Sequence, residues 1–413
     1  MKYEADHRIG IVGAGPAGLT AAVTLRSLGY TNITLLEKED HAGGKCHSIT
    51  LKDHSYEIGA GIVSDSNHTI RDLATKFNVR MAPLDFVSRI DLDIDTGTTV
   101  RFSPIRKIQL LYQVLFRYRP LTKKYQSLTT PGFLDVPKEL CVPFSTWAKV
   151  HHIEILAKEL ADYFTGFGYG FYEEVSAAYV LKYYPWDIIM AFFKQSFFKF
   201  PDGIQRLWTT IAEKHEVLYG RTIQRITRDT AVTVTTDKES FTFDALILTS
   251  PLDETPRFMD VSSTEIGLFS KILTYDYRTY ACTLKDFPKK TGYIPGNLTI
   301  SRLGHPVFWY LRFKDSDLYT FYLLGNEKVS DEEAILNIKD VVEMLGGKIT
   351  DVKISAHWKY FPHVTPEEMA NGYYNKLEAL QGTQHTYYAG ELLNFSTVDH
   401  SASYAKNLVE RFF

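Results

Sequence analysis

Residues 9–12 form a short apolar run, Ile-Gly-Ile-Val, followed at once by glycine-rich sequence and then by a stretch, 17–28, with Leu, Ala and Val at helical spacing. An apolar run of this length bounded by a turn predicts a strand buried on both faces, and the stretch after it a helix ended by Gly29. A second apolar run at 33–36 completes a strand–turn–helix–strand unit, the beginning of a parallel sheet. Farther on, the pattern predicts a helix over 69–77, an alternating strand over 87–94 with Arg89 inside it, and a helix over 104–124. Helices are expected over 175–184 and 186–200, with another opening at Pro201 by the first-turn proline signal. Residues 217–219, 223–226, 232–235, 241–243 and 245–249 predict short strands, a small meander laid on the parallel sheet. A strand over 318–324, a helix over 331–345, a strand leading to a glycine turn at 386–391 and a helix over 397–413 close the chain.

The turn after the first strand supplies the chemistry. Gly13, Gly15 and Gly18 have the G-x-G-x-x-G spacing: the first makes the tight turn, the second lets backbone approach a pyrophosphate, and the third packs the helix on the strand. Pro16 and Ala17 open the helix, whose unpaired N–H groups and dipole point at that pyrophosphate. Glu37 ends the second strand, where a ribose diol needs a carboxylate acceptor. After Lys38, the run Gly43, Gly44 and Lys45 allows a second close pass of backbone to phosphate. Gly59, Ala60 and Gly61 follow a strand and would hold backbone close to a flat ring. Gly390 and Glu391 repeat the strand-to-glycine device, and a helix N-terminus at about Ser396 can stabilise negative charge on a ring edge. No second G-x-G-x-x-G follows a strand, so the sequence has one dinucleotide cradle and no visible place for a nicotinamide reductant.

With 413 residues, two domains are expected. The net charge of −3 gives no global attraction to nucleic acid. Cys46, Cys141 and Cys282 lie far apart without a C-x-x-C pair, so neither a disulfide framework nor a metal site is expected, and a reducing, cytoplasmic location fits. No apolar signal core precedes the first strand, and no run reaches the ~18 apolar residues of a membrane span. Aromatic content is high, with fifteen rings between Tyr163 and Phe200; these fill an ordinary core or wall a wide apolar cavity. Residues 96–134 carry Arg101, Arg106, Lys107, Arg117, Arg119, Lys123 and Lys124 with no acid, interleaved with apolar residues at helical spacing. Such a helix can lie on an anionic membrane, here the inner membrane surface, or cover a tunnel in a globular domain.

The ribose-binding acid followed by Gly43-Gly44 resembles the FAD-binding motif of glutathione-reductase-type and amine-oxidase-type flavoproteins. Together with 244–251 and the terminal Tyr388-Ala-Gly-Glu391, it resembles the flavin amine-oxidase superfamily over the whole cofactor domain. More narrowly, the chain is similar to bacterial FAD-dependent isomerases of polyenoic fatty acids. Gly43-Gly-Lys-Cys-His-Ser48, Phe167-Gly-Tyr-Gly170, Ala177-Ala-Tyr-Val-Leu-Lys-Tyr183, Tyr360-Phe-Pro-His-Val364 and Arg411-Phe-Phe413 carry that likeness. The resemblance implies an α/β fold (α+β overall), amine-oxidase-like: a Rossmann-type FAD-binding domain (1–85, 201–255 and 376–413), an interrupting substrate domain (86–100 and 256–375) and a helical lid (101–200). It also implies non-covalent FAD, with Ile223, Phe395 and Lys38 among its contacts, and a free fatty acid substrate whose double bond moves into conjugation. Arg89 and Phe192 would then guard a tunnel mouth, and Phe167 would lie near the reacting carbons. An aromatic-walled tunnel fits this chemistry, since ring faces stabilise cationic charge and exclude water.

An amine oxidase or a lipid desaturase is the alternative enzyme, and a non-catalytic FAD-bearing scaffold the alternative of another class. Residues 392–397 lack the cysteine through which many amine oxidases attach flavin. Lys271 resembles the oxidases' lysine that holds water near the flavin, or is an ordinary surface lysine. His47 and His363 are candidate acid–base groups, or hydrogen-bonding structural residues.

Overall fold

The structure is a computed structural model describing residues 3–85, 88–100 and 103–413. Val87 of the expected alternating strand and Arg101 of the basic stretch lie outside the described residues. The apolar runs at the N-terminus form the middle of a five-stranded, all-parallel sheet in the order Glu216–Leu218, Ile33–Leu36, Ile9–Val12, Ala245–Leu248, Thr386–Tyr388. Ile9–Val12 and Ala245–Leu248 are buried throughout, as a parallel sheet covered on both faces requires. Helix Pro16–Ser27 packs against the C-terminal helix Val398–Phe412, whose cap Thr397 accepts a hydrogen bond from the His400 N–H at 3.2 Å.

The predicted meander divides between two sheets. Its first and last strands join the parallel sheet, while Ile223–Arg228, Val232–Thr236 and Ser240–Phe243 form a separate antiparallel sheet. A seven-stranded sheet forms a second layer, running Lys348–His363, Leu273–Lys285, Leu318–Gly325, Pro306–Tyr310, Thr291–Tyr293, Arg89–Leu92, Thr99–Val100. In it Arg89 lies opposite Thr291 in a parallel pairing. Helices Glu154–Phe164, Ala177–Tyr183 and Trp186–Lys194 are the lid's main apolar elements.

Two expected helices are corrected. The helix from Trp186 ends at Lys194, where Gln195 turns left-handed (φ 51°), and Phe197–Lys199 instead forms a strand between Ile62–Ser64 and Ala82–Pro83. Pro201 does not open a helix: a turn with Gly203 at φ 83° intervenes, and the helix is Gln205–Ala212.

A buried ion pair ties the antiparallel sheet to the parallel one. The Arg228 guanidinium, fully buried at the end of its strand, donates to both Glu265 oxygens at 2.6 and 2.8 Å and to the Tyr388 hydroxyl at 3.2 Å. Burial raises the pKa of Glu265, but hydrogen bonds from Arg228, Tyr388 and the Ser262 N–H outweigh it and hold the carboxyl at about 2. The stabilisation from this carboxylate is therefore complete above its usual 4.5 and is lost as pH falls toward 2. Arg228→Ala should cost about 3–5 kcal/mol in urea unfolding at neutral pH, because it leaves Glu265 charged and unpaired. The double replacement Arg228→Met, Glu265→Leu should recover most of that loss; a single variant as stable as the parent would show the pair to be energetically idle.

Candidate active site

The cradle is built from backbone. Gly13 has φ 101°, and a β-carbon there would meet Thr249 Oγ1 at 2.5 Å. One on Gly18 would fall 2.0 Å from the Gly13 carbonyl oxygen, so only glycine lets the helix start this close to the turn. Gly44 faces Gly15 across the cradle: a β-carbon on Gly44 would lie 3.4 Å from Gly15 Cα. Gly15 caps the helix without a side-chain hydrogen bond, Pro16 is at its first position and Ala17 follows, leaving helix N–H groups for an anion. The Glu37 carboxylate closes the far side, accepting from the Ala14 N–H at 2.7 Å and the Glu39 N–H at 3.0 Å. The Arg221 N–H donates to the Glu37 carbonyl at 2.8 Å and brings the start of the Ile223 strand alongside. Lys38 points to solvent, 3.6 Å from Glu39.

Lys45 continues the wall, its ammonium 2.9 Å from Glu391 and 5.3 Å from the centre of the Tyr360 ring. The Lys45 carbonyl accepts from the Ala60 N–H at 3.2 Å and lies where a Gly59 β-carbon would be, and the Glu57 side chain crowds Gly61 in the same way. Gly390 approaches Thr249 from the last sheet strand, and Phe395 stacks on Tyr183 at 5.3 Å. Ser250 and Ser396 each hold a buried hydroxyl oxygen with no partner. Apposed glycines, an uncapped helix start, a carboxylate at the strand end and two orphan hydroxyls fit a bound dinucleotide such as FAD.

A second cluster lies under the lid. Arg89 donates to Asp91 at 2.7 Å, to the Tyr163 hydroxyl at 2.6 Å and to Asp162, and stands 4.1 Å above the Tyr293 ring. Tyr163 in turn contacts Phe192 at 4.8 Å and Phe167 at 5.8 Å between ring centres. The three substrate residues expected from sequence are thus brought together by a fourth, Tyr163, that sequence reasoning missed. Asp91 was legible as the next position on the same strand face as Arg89. Asp162 and Tyr163, at the end of helix Glu154–Phe164, carried no local signal. Asp162 is buried, its Oδ1 has no hydrogen-bond partner, and burial pushes its pKa up to about 6 against the pull of Arg89.

Residues 165–170 run from this cluster toward the cradle. The Tyr277 ring occupies the space beside Gly168, and the Tyr169 hydroxyl lies 3.4 Å from that of Tyr360, the ring beside Lys45. Burial lowers the pKa of His363 to about 4; it bonds the Phe361 carbonyl at 2.8 Å and stacks on Phe361 and Tyr275, a structural placement. Burial also lowers that of His47. Lys271 is half-exposed and pairs with Glu368 at 2.7 Å, as a surface lysine does.

Comparison with known proteins agrees with this geometry. The crystal structure of a CLA-producing fatty acid isomerase from P. acnes superposes with a TM-score of 0.95, at 34% identity over 100% of both chains. The FAD-dependent oxidoreductase dpasF of Apiospora sacchari is 25% identical over 92% of this chain and 87% of its own. A polyenoic fatty acid isomerase of Ptilota filicina is 20% identical over 45% of this chain and 42% of its own. Residues 16–351 match the family described as flavin containing amine oxidoreductase. With its glycine cradle and its amine-oxidase-like arrangement of parallel sheet, second sheet and lid, the chain belongs to the flavin-containing amine oxidoreductase family.

Proposed function

We propose that the protein is an FAD-dependent isomerase of polyunsaturated fatty acids that moves a double bond into conjugation. The observation that carries this reading is one cation, Arg89, set in a row of rings, Phe192, Tyr163 and Phe167, that leads toward the cradle. A fatty acid offers one carboxylate and a long apolar chain, and this row matches both. The likeness to a solved fatty acid isomerase supports the same reading.

Bound FAD would supply a hydride acceptor and donor, and the chain holds it without a covalent bond. Gly13, Gly15, Gly18 and Gly44 would take its pyrophosphate, Glu37 its ribose, and Lys45, Gly59, Gly61 and Gly390 the ring end. Arg89 anchors the substrate carboxylate, while Phe167 and its neighbours exclude water and present ring faces to developing positive charge at the allylic carbons. The hydride that leaves the bis-allylic carbon returns to another carbon of the same molecule, so no electrons are gained or lost overall.

Arg89 is already neutralised by Asp91 and Asp162, so a substrate carboxylate must compete for it. With Asp162 close to half-protonated at about pH 6, entry of the carboxylate is helped by proton uptake at Asp162. The groups facing Asp162 are Arg89, which favours its charged form, and Asp91 and Glu159, which oppose it.

Acid precipitation should release the yellow chromophore to the supernatant; colour retained in the pellet would refute non-covalent binding. Arg89→Ala should raise KM for the free acid by about 10- to 100-fold, the worth of one charge-assisted bond of roughly 1.5–3 kcal/mol, and leave the methyl ester little changed. In the parent, KM for the acid should climb as pH rises above 6, and Asp162→Asn should flatten that slope. Equal losses on acid and ester would reduce Arg89 to a structural role. Linoleate should give conjugated-diene absorbance under strict anaerobiosis with no added reductant, and deuterium placed at the bis-allylic carbon should reappear at a different carbon of the product. An absolute need for oxygen with stoichiometric peroxide would place the protein among the oxidases instead.

A further inference from the structure

The lid carries a surface that the proposed reaction does not use. Ser103 caps helix Pro104–Tyr112, its side chain accepting from the Arg106 N–H at 3.2 Å, and the helix runs on through a π-helical turn, Gln113–Tyr118, into Arg119–Lys124. Val114 and Tyr118 point into the protein and are buried, and Gln113 accepts from the Leu156 N–H at 2.9 Å. The opposite side is apolar and bare. Ile105 and Ile108 are each 69% exposed and Phe116 66%, with Leu111, Tyr112 and Leu115 beside them. Isolated surface apolar residues need no explanation, but six large ones on one continuous helical face do.

Charge identifies what would cover them. The sequence from 96 to 134 contains no acid, in a chain whose net charge is −3. Lys107, Arg117 and Lys123 are exposed and make no ion pair among the described residues. Among the described residues, the acids paired with this element are Glu159, held by Arg106 at 2.6 Å, and Glu139, held by Lys124 at 2.7 Å. An apolar face flanked by unpaired cations is the form of a helix that lies in the interface of an anionic bilayer, with rings and aliphatic chains among the acyl tails and ammonium groups at the phosphates. Among the described residues no helix is long and apolar enough to cross a membrane.

The same face runs toward the second cluster. Arg119 stands 5.2 Å above the ring of Trp186, the first residue of the helix that carries Phe192 and the 56%-exposed Phe193. We infer that residues 104–124 dock the protein on an anionic phospholipid surface, with helix Trp186–Lys194 at the edge of the contact. The inference rests on the exposed face and its charge, and stands whether or not the protein proves to be an isomerase.

Flotation of the FAD-loaded protein with vesicles tests it without any substrate. The protein should float with phosphatidylglycerol–phosphatidylcholine vesicles at low salt, and with pure phosphatidylcholine vesicles about tenfold less. Replacing Ile105, Ile108 and Phe116 together by Ser should cut flotation by about tenfold or more, because it removes the side chains that insert. Lys107→Glu with Arg117→Glu and Lys123→Glu should abolish the preference for the anionic lipid. All six side chains are exposed, so both variants should keep the parent's flavin absorbance and thermal unfolding. Failure of the parent to float with anionic vesicles would overturn the inference. So would light scattering that shows a dimer dispersed by the serine variant, since a second copy would then be what covers the face.

Discussion

Gly15 and Gly44 meet at the carboxyl end of the parallel sheet with no side chain between them, and the arrangement of the cofactor domain depends on that approach. Glu37 holds it in place. Its carboxylate takes the Ala14 and Glu39 N–H groups, its carbonyl takes the Arg221 N–H, and its own N–H donates to the Leu218 carbonyl at 3.0 Å. One residue thus joins the glycine turn, the start of the loop that leads to Gly43-Gly44 and the entry to the antiparallel meander.

Farther out, charges do the joining. Glu57, below Gly61, pairs at 3.2 Å with Arg312, two residues beyond the sheet strand Pro306–Tyr310, and accepts from the Ile204 N–H at 3.0 Å, so one carboxylate links the cofactor end of the molecule to the edge of the second layer. Burial raises its pKa, against the pull of Arg312. Arg228 and Glu265 tie the antiparallel sheet to helix Ser263–Phe269 and, through Tyr388, to the parallel sheet. Such pairs add little net stability over apolar packing, but they penalise any arrangement in which one partner is buried alone, and so favour a single orientation of the layers. Arg89 belongs to the same pattern, and beside it a buried oxygen of Asp162 is left without a partner. An unsatisfied acceptor next to a cation is where a ligand can exchange with the protein.

The lid combines two environments within a few helices. Its inner side is a dense aromatic assembly in which Phe164, Tyr169, Tyr183 and Phe395 touch one another, and buried Lys182 donates to the carbonyls of Leu128, Thr130 and Gly132. Its outer side, along residues 105–116, is apolar and unpacked. Rings close together inside hold a fixed wall; aliphatic chains outside await a surface.

The sequence by itself determined the cradle, because the requirements there are local. A tight turn, a close backbone pass and an acid at a strand end are set by residue type and spacing over a few tens of positions. It likewise determined the central parallel strands, whose apolar runs are too short and too uniform for any other element. Only the tertiary structure decided the elements whose partners lie far away in the chain. Phe197–Lys199 looks helical in isolation and is a strand because Ile62–Ser64 offers it an edge. Tyr163 and Asp162 are unremarkable on their own helix and become the partners of Arg89 because the end of that helix is folded against the strand Arg89–Leu92. Spacing records what a residue does to its neighbours in the chain. Long-range packing, electrostatic pairing and burial decide which distant residue it finally meets.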